Sequence, residues 1–376
     1  MPGLAMSGWK TVDGRARQRE HSNITRYIGT VTSAARGGGN TDNIIEVNEL
    51  VKVYNGSVRA VDGISFHVER GEVFGFLGPN GAGKSTTIKV LTTLLQKTAG
   101  SVTVDGINLE KDPSAIRKII GYGSQEVSVD DDLTGRENLR LQCMFHHLHK
   151  ADAEKRINEI LKATGLEEAA DRRAGTYSGG MRKRLDLATA IITRPKLLFL
   201  DEPTTGLDPQ NRVAMWEYIK DLNKAGTTIF LTTQYMEEAD RLAHRLCIID
   251  NGKIVAGGTP AALKAEIGAD VVQLALPDNG AAADRARARQ VLGPVAGVQE
   301  IKDYDGGLMV FAKNGPSLVP EIVRKLDDVD VHIAQISVSA PSLDDVFVKH
   351  TGRKMRVEEV TPPRRMVFGG RRRRPM

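Results

Sequence analysis

Residues 78–86 read Gly-Pro-Asn-Gly-Ala-Gly-Lys-Ser-Thr and follow directly on the apolar run Val73 to Leu77. The run predicts a buried strand and the residues from Lys84 on predict a helix, so a glycine-rich turn stands between strand and helix. Gly78, Gly81 and Gly83 let the backbone curl until successive N–H groups point inward, and the helix start adds the positive end of its dipole. A turn of this kind is built to hold a nucleotide triphosphate. Pro79, Asn80, Ala82 and Thr86 complete the predicted contact. Lys84 is placed to neutralise the outer phosphates, and the Ser85 hydroxyl is placed to hold a magnesium ion that bridges them.

A second cluster, Leu-Leu-Phe-Leu-Asp-Glu-Pro at 197–203, is a short apolar run ending in two carboxylates. It predicts a buried parallel strand beside the phosphate loop. Asp201 would complete the magnesium shell. Glu202, on the opposite side of the strand, would face the γ-phosphate as general base for an attacking water, which points to hydrolysis of ATP and not to binding alone. Read by itself, such a run also fits a plain strand-to-turn boundary.

Residues 177–184, Tyr-Ser-Gly-Gly-Met-Arg-Lys-Arg, stand shortly before the carboxylates, and this order resembles the signature of ABC-type ATPases. Ser178 and the N–H groups of Gly179, Gly180 and Met181 would open a second anion-binding helix start. The resemblance implies why there are two: ABC ATPases pack head to tail as dimers, and each signature closes over ATP held by its partner's phosphate loop. Thr-Thr-Gly-Leu-Asp-Pro at 204–209, with Asp208, resembles the D-loop. Gln125 resembles the Q-loop glutamine, implied to act at the magnesium ion and in catalysis. Tyr54 resembles the aromatic that stacks on adenine, although a tyrosine at a strand end also fits simple packing. Tyr177 and Met181 depart mildly from the Leu and Gln of many relatives. A larger departure is Gln234, which follows the apolar strand Thr228 to Leu231 where the family usually has a histidine. An amide can donate to a phosphate oxygen and accept from water but cannot ionise, so the base role falls to Glu202.

The chain has 376 residues, 40% apolar and 26% charged, as expected for a folded protein with one large core and a smaller second one. It has no apolar stretch long enough to span a bilayer, so a transport function needs a separate transmembrane permease subunit. Cys143 and Cys247 stand far apart and fit a reducing compartment with inert thiols. Residues 1–43 are polar, carry no signal pattern and are expected to form a disordered extension. Nine basic residues from Arg353 onward, against Glu358 and Glu359, account for the whole formal charge of +5. The 353–376 segment therefore reads as a basic disordered tail open to inner-leaflet lipid, and no nucleic acid is expected as partner.

Residues 44–268 read as the nucleotide-binding domain. The span 127–190 reads as a helical subdomain, opened by the capping-box spacing of Thr134 and Glu137. In the resemblance its groove beside the Q-loop receives a helix of the membrane subunit. Cys143 and His147, one helical turn apart, have no local partner to complete a metal shell. Residues 269–352 read strand (Val271 to Leu276), helix (Ala282 to Leu292), strand (Val298 to Asp303), strand (Leu308 to Ala312), helix (Leu318 to Leu326) and strand (Val331 to Val338), a ferredoxin-like order without a catalytic constellation. The closing Ser-Leu-Asp-Asp-Val-Phe at 342–347 resembles antibiotic-exporter ATPases of the daunorubicin-resistance type. The expected class is therefore α/β: a P-loop ABC ATPase core with helical subdomain, plus a small α+β domain. The implied function is ATP-powered export at the cytoplasmic face of the membrane. A soluble ABC protein working on DNA or the ribosome is disfavoured, because residues 86–177 hold no long coiled coil and the chain has one cassette. A vestigial ATPase, suggested by Gln234, is disfavoured by intact Lys84, Ser85, Asp201 and Glu202.

Overall fold

The computed structural model describes residues 43–355 except 269, 278–280 and 305–306. The expected N-terminal extension, but for Asn43, and the basic tail beyond Met355 lie outside the described residues. The chain opens with β1 (Asn43–Tyr54), β2 (Val58–Glu69), β3 (Val73–Leu77), α1 (Lys84–Leu91), β4 (Ala99–Val104), β5 (Ile107–Asn108), α2 (Pro113–Ile119) and β6 (Ile120–Gly123). Helices α3 (Gly135–Phe145), α4 (Lys150–Thr164) and α5 (Gly179–Ala190) follow. Next come β7 (Leu197–Asp201), α6 (Pro209–Lys224), β8 (Thr228–Thr233), α7 (Met236–Leu242), β9 (Arg245–Asp250), β10 (Lys253–Gly258) and α8 (Pro260–Ile267). The last part is β11 (Asp270–Ala275), α9 (Ala282–Leu292), β12 (Val298–Tyr304), β13 (Gly307–Ala312), α10 (Gly315–Asp327), β14 (Gln335–Ser339) and α11 (Leu343–Thr351).

The main sheet runs in the order β10-β9-β3-β8-β7-β6, parallel except for β10. Strand β8 thus lies between the phosphate-loop strand β3 and the carboxylate strand β7, which is buried and parallel as expected. All three are buried along their whole length, and a strand apolar on both faces carries no mark of which strand it will pair with. On one face Phe66, Phe74, Phe76, Phe199 and Phe230 pack with ring centroids 5.5 to 6.0 Å apart. This joins the main sheet to the antiparallel sheet β2-β1-β4-β5 in one core. A second core gathers Leu139, Ile157, Ile160 and Leu185 of the helical subdomain around Leu198, Leu200, Ile229 and Trp216.

Helix α3 starts at the capping box read from the sequence, with Thr134 and Glu137 bonded reciprocally. It ends at Phe145, and His147 takes a φ of 55°, so the one-turn spacing of Cys143 and His147 on a helix does not arise. Both thiols are buried, and burial pushes them up, Cys247 to about 12.

The last sheet runs β12-β13-β11-β14, and the described elements follow the ferredoxin-like order. Its final strand begins at Gln335, not Val331; Val331 is buried in this domain's core without strand pairing. Helix α10 begins at Gly315, earlier than its apolar pattern suggested, because Pro316 suits a first helical turn. Helix α11, capped by Ser342 and Asp345, is the joint between the two domains. Its Leu343, Val346 and Phe347 share one core with Leu77, Met236 and Leu246 of the main domain and with Val271, Met309 and Phe311 of the last sheet. The start of the expected tail is packed as well. Arg353 pairs with Asp250 at 2.7 Å, the Lys354 ammonium lies 5.0 Å from the centre of the Tyr304 ring, and Met355 is buried.

Phe347→Ala, which empties part of this shared core, is expected to cost about 3–5 kcal/mol in denaturant unfolding. A loss below about 1 kcal/mol would show that α11 does not hold the joint. With both thiols buried and shifted up, the native protein should resist iodoacetamide at pH 8 while the urea-unfolded chain reacts at both cysteines. Rapid labelling of the native form would contradict that burial.

Candidate nucleotide site

Strand β3 delivers the chain into the glycine turn, and the N–H of Gly78 donates to the Thr233 carbonyl at 3.2 Å, fastening the turn to the end of β8. A Cβ at Gly78 would stand 2.3 Å from the carbonyl oxygen of Ile249, and one at Gly83 would stand 2.4 Å from that of Ala60. At these two positions glycine is required because neighbouring strands press their backbone against the turn. Gly83 also takes a φ of 106° and caps α1 without a side-chain bond, leaving the first N–H groups of the helix open to an anion. Lys84 folds back over the turn. Its Nζ donates to the carbonyls of Gly78 at 2.7 Å and Pro79 at 3.1 Å. It also pairs with Glu202 Oε1 at 3.0 Å, with both side chains almost fully buried. Tyr54, half-buried at the end of β1, places its hydroxyl 3.5 Å from Thr86 Oγ1, at the rim of the same turn.

Asp201 closes β7 and accepts from Thr232 Oγ1 at 2.6 Å and from Ser85 Oγ at 3.2 Å. Burial pushes its carboxyl above the ordinary range, and the two hydroxyls pull it back. Glu202 does not continue the strand to point from its opposite side, as the alternation predicted. It takes a φ of 49°, and its N–H donates to the Thr232 carbonyl and Oγ1, each at 3.1 Å. This left-handed step brings the Glu202 side chain back to Lys84. Thr205 Oγ1 donates to Glu202 Oε2 at 3.1 Å, and Gln125 Nε2 approaches the same oxygen at 3.5 Å. Gln125 therefore meets Glu202; among the described residues no hydrogen bond joins it to the Ser85 and Asp201 pair. Gln234 is 1% exposed, and neither atom of its amide has a hydrogen-bond partner in the structure.

The segment around Gln125 is fastened to the signature helix α5. Lys183 Nζ donates to the Gln125 carbonyl at 2.6 Å, while Asp186 accepts from the Ser128 N–H at 2.8 Å and hydroxyl at 2.6 Å. Burial lowers the Lys183 ammonium and raises the Asp186 carboxyl, each resisted by the other's charge. Ser178 caps α5, accepting from the Met181 N–H at 3.3 Å, and both Ser178 and Gly179 are exposed. Gly180 is buried against Asn211, where a Cβ would lie 2.5 Å from Oδ1. Asn211 in turn is held by Asp208, the cap of α6, through its N–H at 3.0 Å and its amide at 2.6 Å. Among the described residues no hydrogen bond or ion pair joins residues 178–181 to the glycine turn of the same chain.

A family model described as ABC transporter matches residues 61–205, and one described as ATP-binding protein DrrA1-3-like, C-terminal domain, matches residues 258–351. The daunorubicin/doxorubicin resistance ATP-binding protein DrrA of Streptomyces peucetius is 44% identical over 308 residues, 82% of this chain and 92% of that protein. This chain belongs to the DrrA-type ABC transporter ATP-binding family. The doxorubicin resistance ATP-binding protein DrrA of Mycobacterium tuberculosis is 41% identical over 83% of this chain and 95% of its own length. The Nod factor export ATP-binding protein I of Burkholderia thailandensis is 39% identical over 83% and 98%. Among solved structures, cbiO1 of Clostridium perfringens, part of the ABC transporter complex cbiONQ, superposes with a TM-score of 0.56 at 28% identity, over 60% of this chain and 92% of that one. The ATP-binding cassette MJ0796, described as dimeric and bound to ADP and Pi, gives 0.53 at 26% identity over 57% and 98%.

Against this family pattern, the residues that sequence reasoning missed are polar groups supporting the ones it found. Thr232 holds the Asp201 carboxylate and the Glu202 backbone, Thr205 holds the Glu202 carboxylate, and Lys183 with Asp186 holds the Gln125 loop. The only signal for Thr232 was the Thr-Thr pair before Gln234, which a strand end shows routinely. The Tyr177 departure has a structural reason. Its buried hydroxyl donates to the Ala169 carbonyl at 2.5 Å, so the tyrosine staples the signature to the segment that follows α4.

Gly78→Ala forces a Cβ onto the Ile249 carbonyl and is expected to weaken ATP binding at least tenfold, as read by titration with a fluorescent ATP analogue. Unchanged affinity would mean that the turn is not held at this spacing when nucleotide binds.

Proposed function

We propose that this chain is the ATP-hydrolysing subunit of an exporter, two copies of which pack head to tail against a separate membrane-spanning permease at the cytoplasmic face. The observation that carries this reading is the convergence of Lys84, Ser85, Asp201 and Glu202 at one end of the glycine turn. Lys84 and the N–H groups at the start of α1 hold the β- and γ-phosphates of ATP. Ser85 Oγ and Asp201 Oδ1 converge as hard oxygen donors beside them, a set that fits magnesium. Bound there, magnesium would neutralise charge on the outer phosphates. Glu202 takes the proton of a water that attacks the γ-phosphorus as the bond to the bridging oxygen breaks and ADP leaves. The Glu202 carboxylate is aimed by Thr205, by Gln125 and by its own left-handed backbone. Gln234, buried with both amide atoms unbonded, is suited to donate to a γ-phosphate oxygen. Tyr54, at the rim, takes the adenine ring.

The exposed Ser178 helix start makes no described bond to the glycine turn of its own chain, which supports its closing over the nucleotide of a second copy with Asp208 at the same surface. No helix among the described residues is long and apolar enough to cross a membrane. A cleft of about 760 Å³ between α2 and the helical subdomain, with Phe145 66% exposed in its lining, suits a helix of the permease, although the Gln125 loop does not line it. Arg117, Lys118 and Lys155 line it together with Asp152 and the Glu159 that pairs with Arg194, so its charge is mixed. The cargo class is drug, lipid or another hydrophobic molecule, in keeping with the resistance and export names of the relatives. The bracing of the ATPase dimer falls to the C-terminal domain.

Phosphate release by the purified protein tests the site. Lys84→Ala should abolish it. Glu202→Gln should lower kcat by about 100-fold or more while trapping an ATP-bound dimer in gel filtration, and Gln234→Ala should cost less than Glu202→Gln. If Glu202→Gln and Gln234→Ala both turn over at the wild-type rate, the base assignment is wrong. A wild type that binds ATP without releasing phosphate would favour the vestigial reading.

A further inference from the structure

A buried carboxylate outside the phosphate site ties together three of the segments that form it. Glu238, on α7, is fully buried, and its Oε1 accepts from Thr204 Oγ1 at 2.8 Å and from Trp216 Nε1 at 2.9 Å. Its Oε2 has no partner at full hydrogen-bond geometry. Burial raises the carboxyl, and the Thr233 side chain stands close enough to lower it against that rise. Each partner belongs to a different working segment. Thr204 lies two residues beyond Glu202, on the loop leading to Asp208. Trp216 lies on α6, the helix capped by Asp208. Glu238 itself stands four residues after Gln234. Two cation–aromatic contacts run alongside: the Arg212 guanidinium of α6 lies 4.5 Å from the centre of the Tyr235 ring, and that of Arg241 on α7 lies 5.1 Å from the Trp216 ring.

Such a group is costly. A fully buried carboxylate is tolerated only where its donors are held in place, and here one oxygen carries both donors. A hydrophobic residue of similar volume would fill the position more cheaply if packing were its whole purpose. What the carboxylate adds is direction, since two donors on one oxygen hold three backbone segments at fixed separations.

We propose that Glu238 is a positioning residue. Through Thr204 and Trp216 it makes the Gln234 loop, the loop after Glu202 and helix α6 a single body, so that a displacement at Gln234 is carried to Asp208 and to the surface offered to the second copy. This rests on the reading of Glu202 as the base and of closure between two copies. Glu238 itself touches no reacting atom; its effect appears in how well Glu202 and Asp208 are placed once ATP is bound.

Removing a buried carboxylate endangers the fold, so Thr204→Val, which deletes one donor at nearly constant shape, carries the test. The readouts on the full chain are phosphate release at saturating ATP and affinity for a fluorescent ATP analogue. Thr204→Val is expected to lower kcat about tenfold, the scale of a slightly misplaced catalytic group, with affinity within about twofold of wild type. Trp216→Phe should do the same. Combining Thr204→Val with Gln234→Ala should cost less than the product of the single losses, because both act through one body. Glu238→Gln, which keeps an acceptor at Oε1, should retain more activity than Glu238→Ala. An active wild type whose Thr204→Val variant loses thermal stability but keeps its kcat overturns the role of Glu238 alone, as does a multiplicative double variant. A wild type without phosphate release overturns this proposal together with the reading of the site.

Discussion

The contact between Lys84 Nζ and Glu202 Oε1 at 3.0 Å is the constraint from which the rest of the site follows. The two residues come from opposite ends of the main sheet's middle: Lys84 opens the helix after β3, and Glu202 follows β7, with β8 in between. Taking both charges out of water is expensive, and their attraction repays that only if every remaining polar atom is also satisfied. The surroundings do this work. Two turn carbonyls take the other protons of Lys84, and Thr205 and Gln125 attend the second oxygen of Glu202. Such a pair is poor at stabilising a fold but good at placing a cation and a carboxylate at one point.

Strand β8 is what makes that geometry possible. It is buried throughout, pairs with both β3 and β7, and ends in Thr232 and Thr233. Thr232 donates to Asp201 and receives the Glu202 N–H, while the carbonyl of Thr233 receives the N–H of Gly78. One strand end thereby sets the height of the phosphate turn relative to the carboxylates. The phenylalanine cluster beneath, with Phe230 of β8 at its centre, keeps that strand from sliding.

The same economy connects the site to its surroundings. Lys183 and Asp186 fasten the Gln125 loop to the helix begun by Ser178, and Asn211 fills the space beside Gly180 on behalf of Asp208. The parts that would meet a second copy are therefore braced to the parts that would meet the phosphates. Against the end of β3 and helix α7, α11 locks the C-terminal sheet on through a core common to both, so the accessory domain follows the main domain's orientation.

Much of this was legible in the linear chain. The glycine turn, the apolar run before Asp201, the Ser-Gly-Gly helix start, the Thr134 capping box and the strand and helix order of the last domain all follow from local spacing, because a turn, a cap or an amphipathic period is encoded within a few residues. Other features were not legible. The insertion of β8 between β3 and β7, the reversal of Glu202 and the support from Thr232, Lys183 and Glu238 each depend on partners some 30 to 60 residues away or more. Strands that are apolar on both faces pair by shape complementarity, not by pattern, and a lone threonine or glutamate announces no partner. Residue identity thus determined which chemistry this protein holds, and only tertiary packing decided where each group stands, since distances across a sheet are written in no local stretch of sequence.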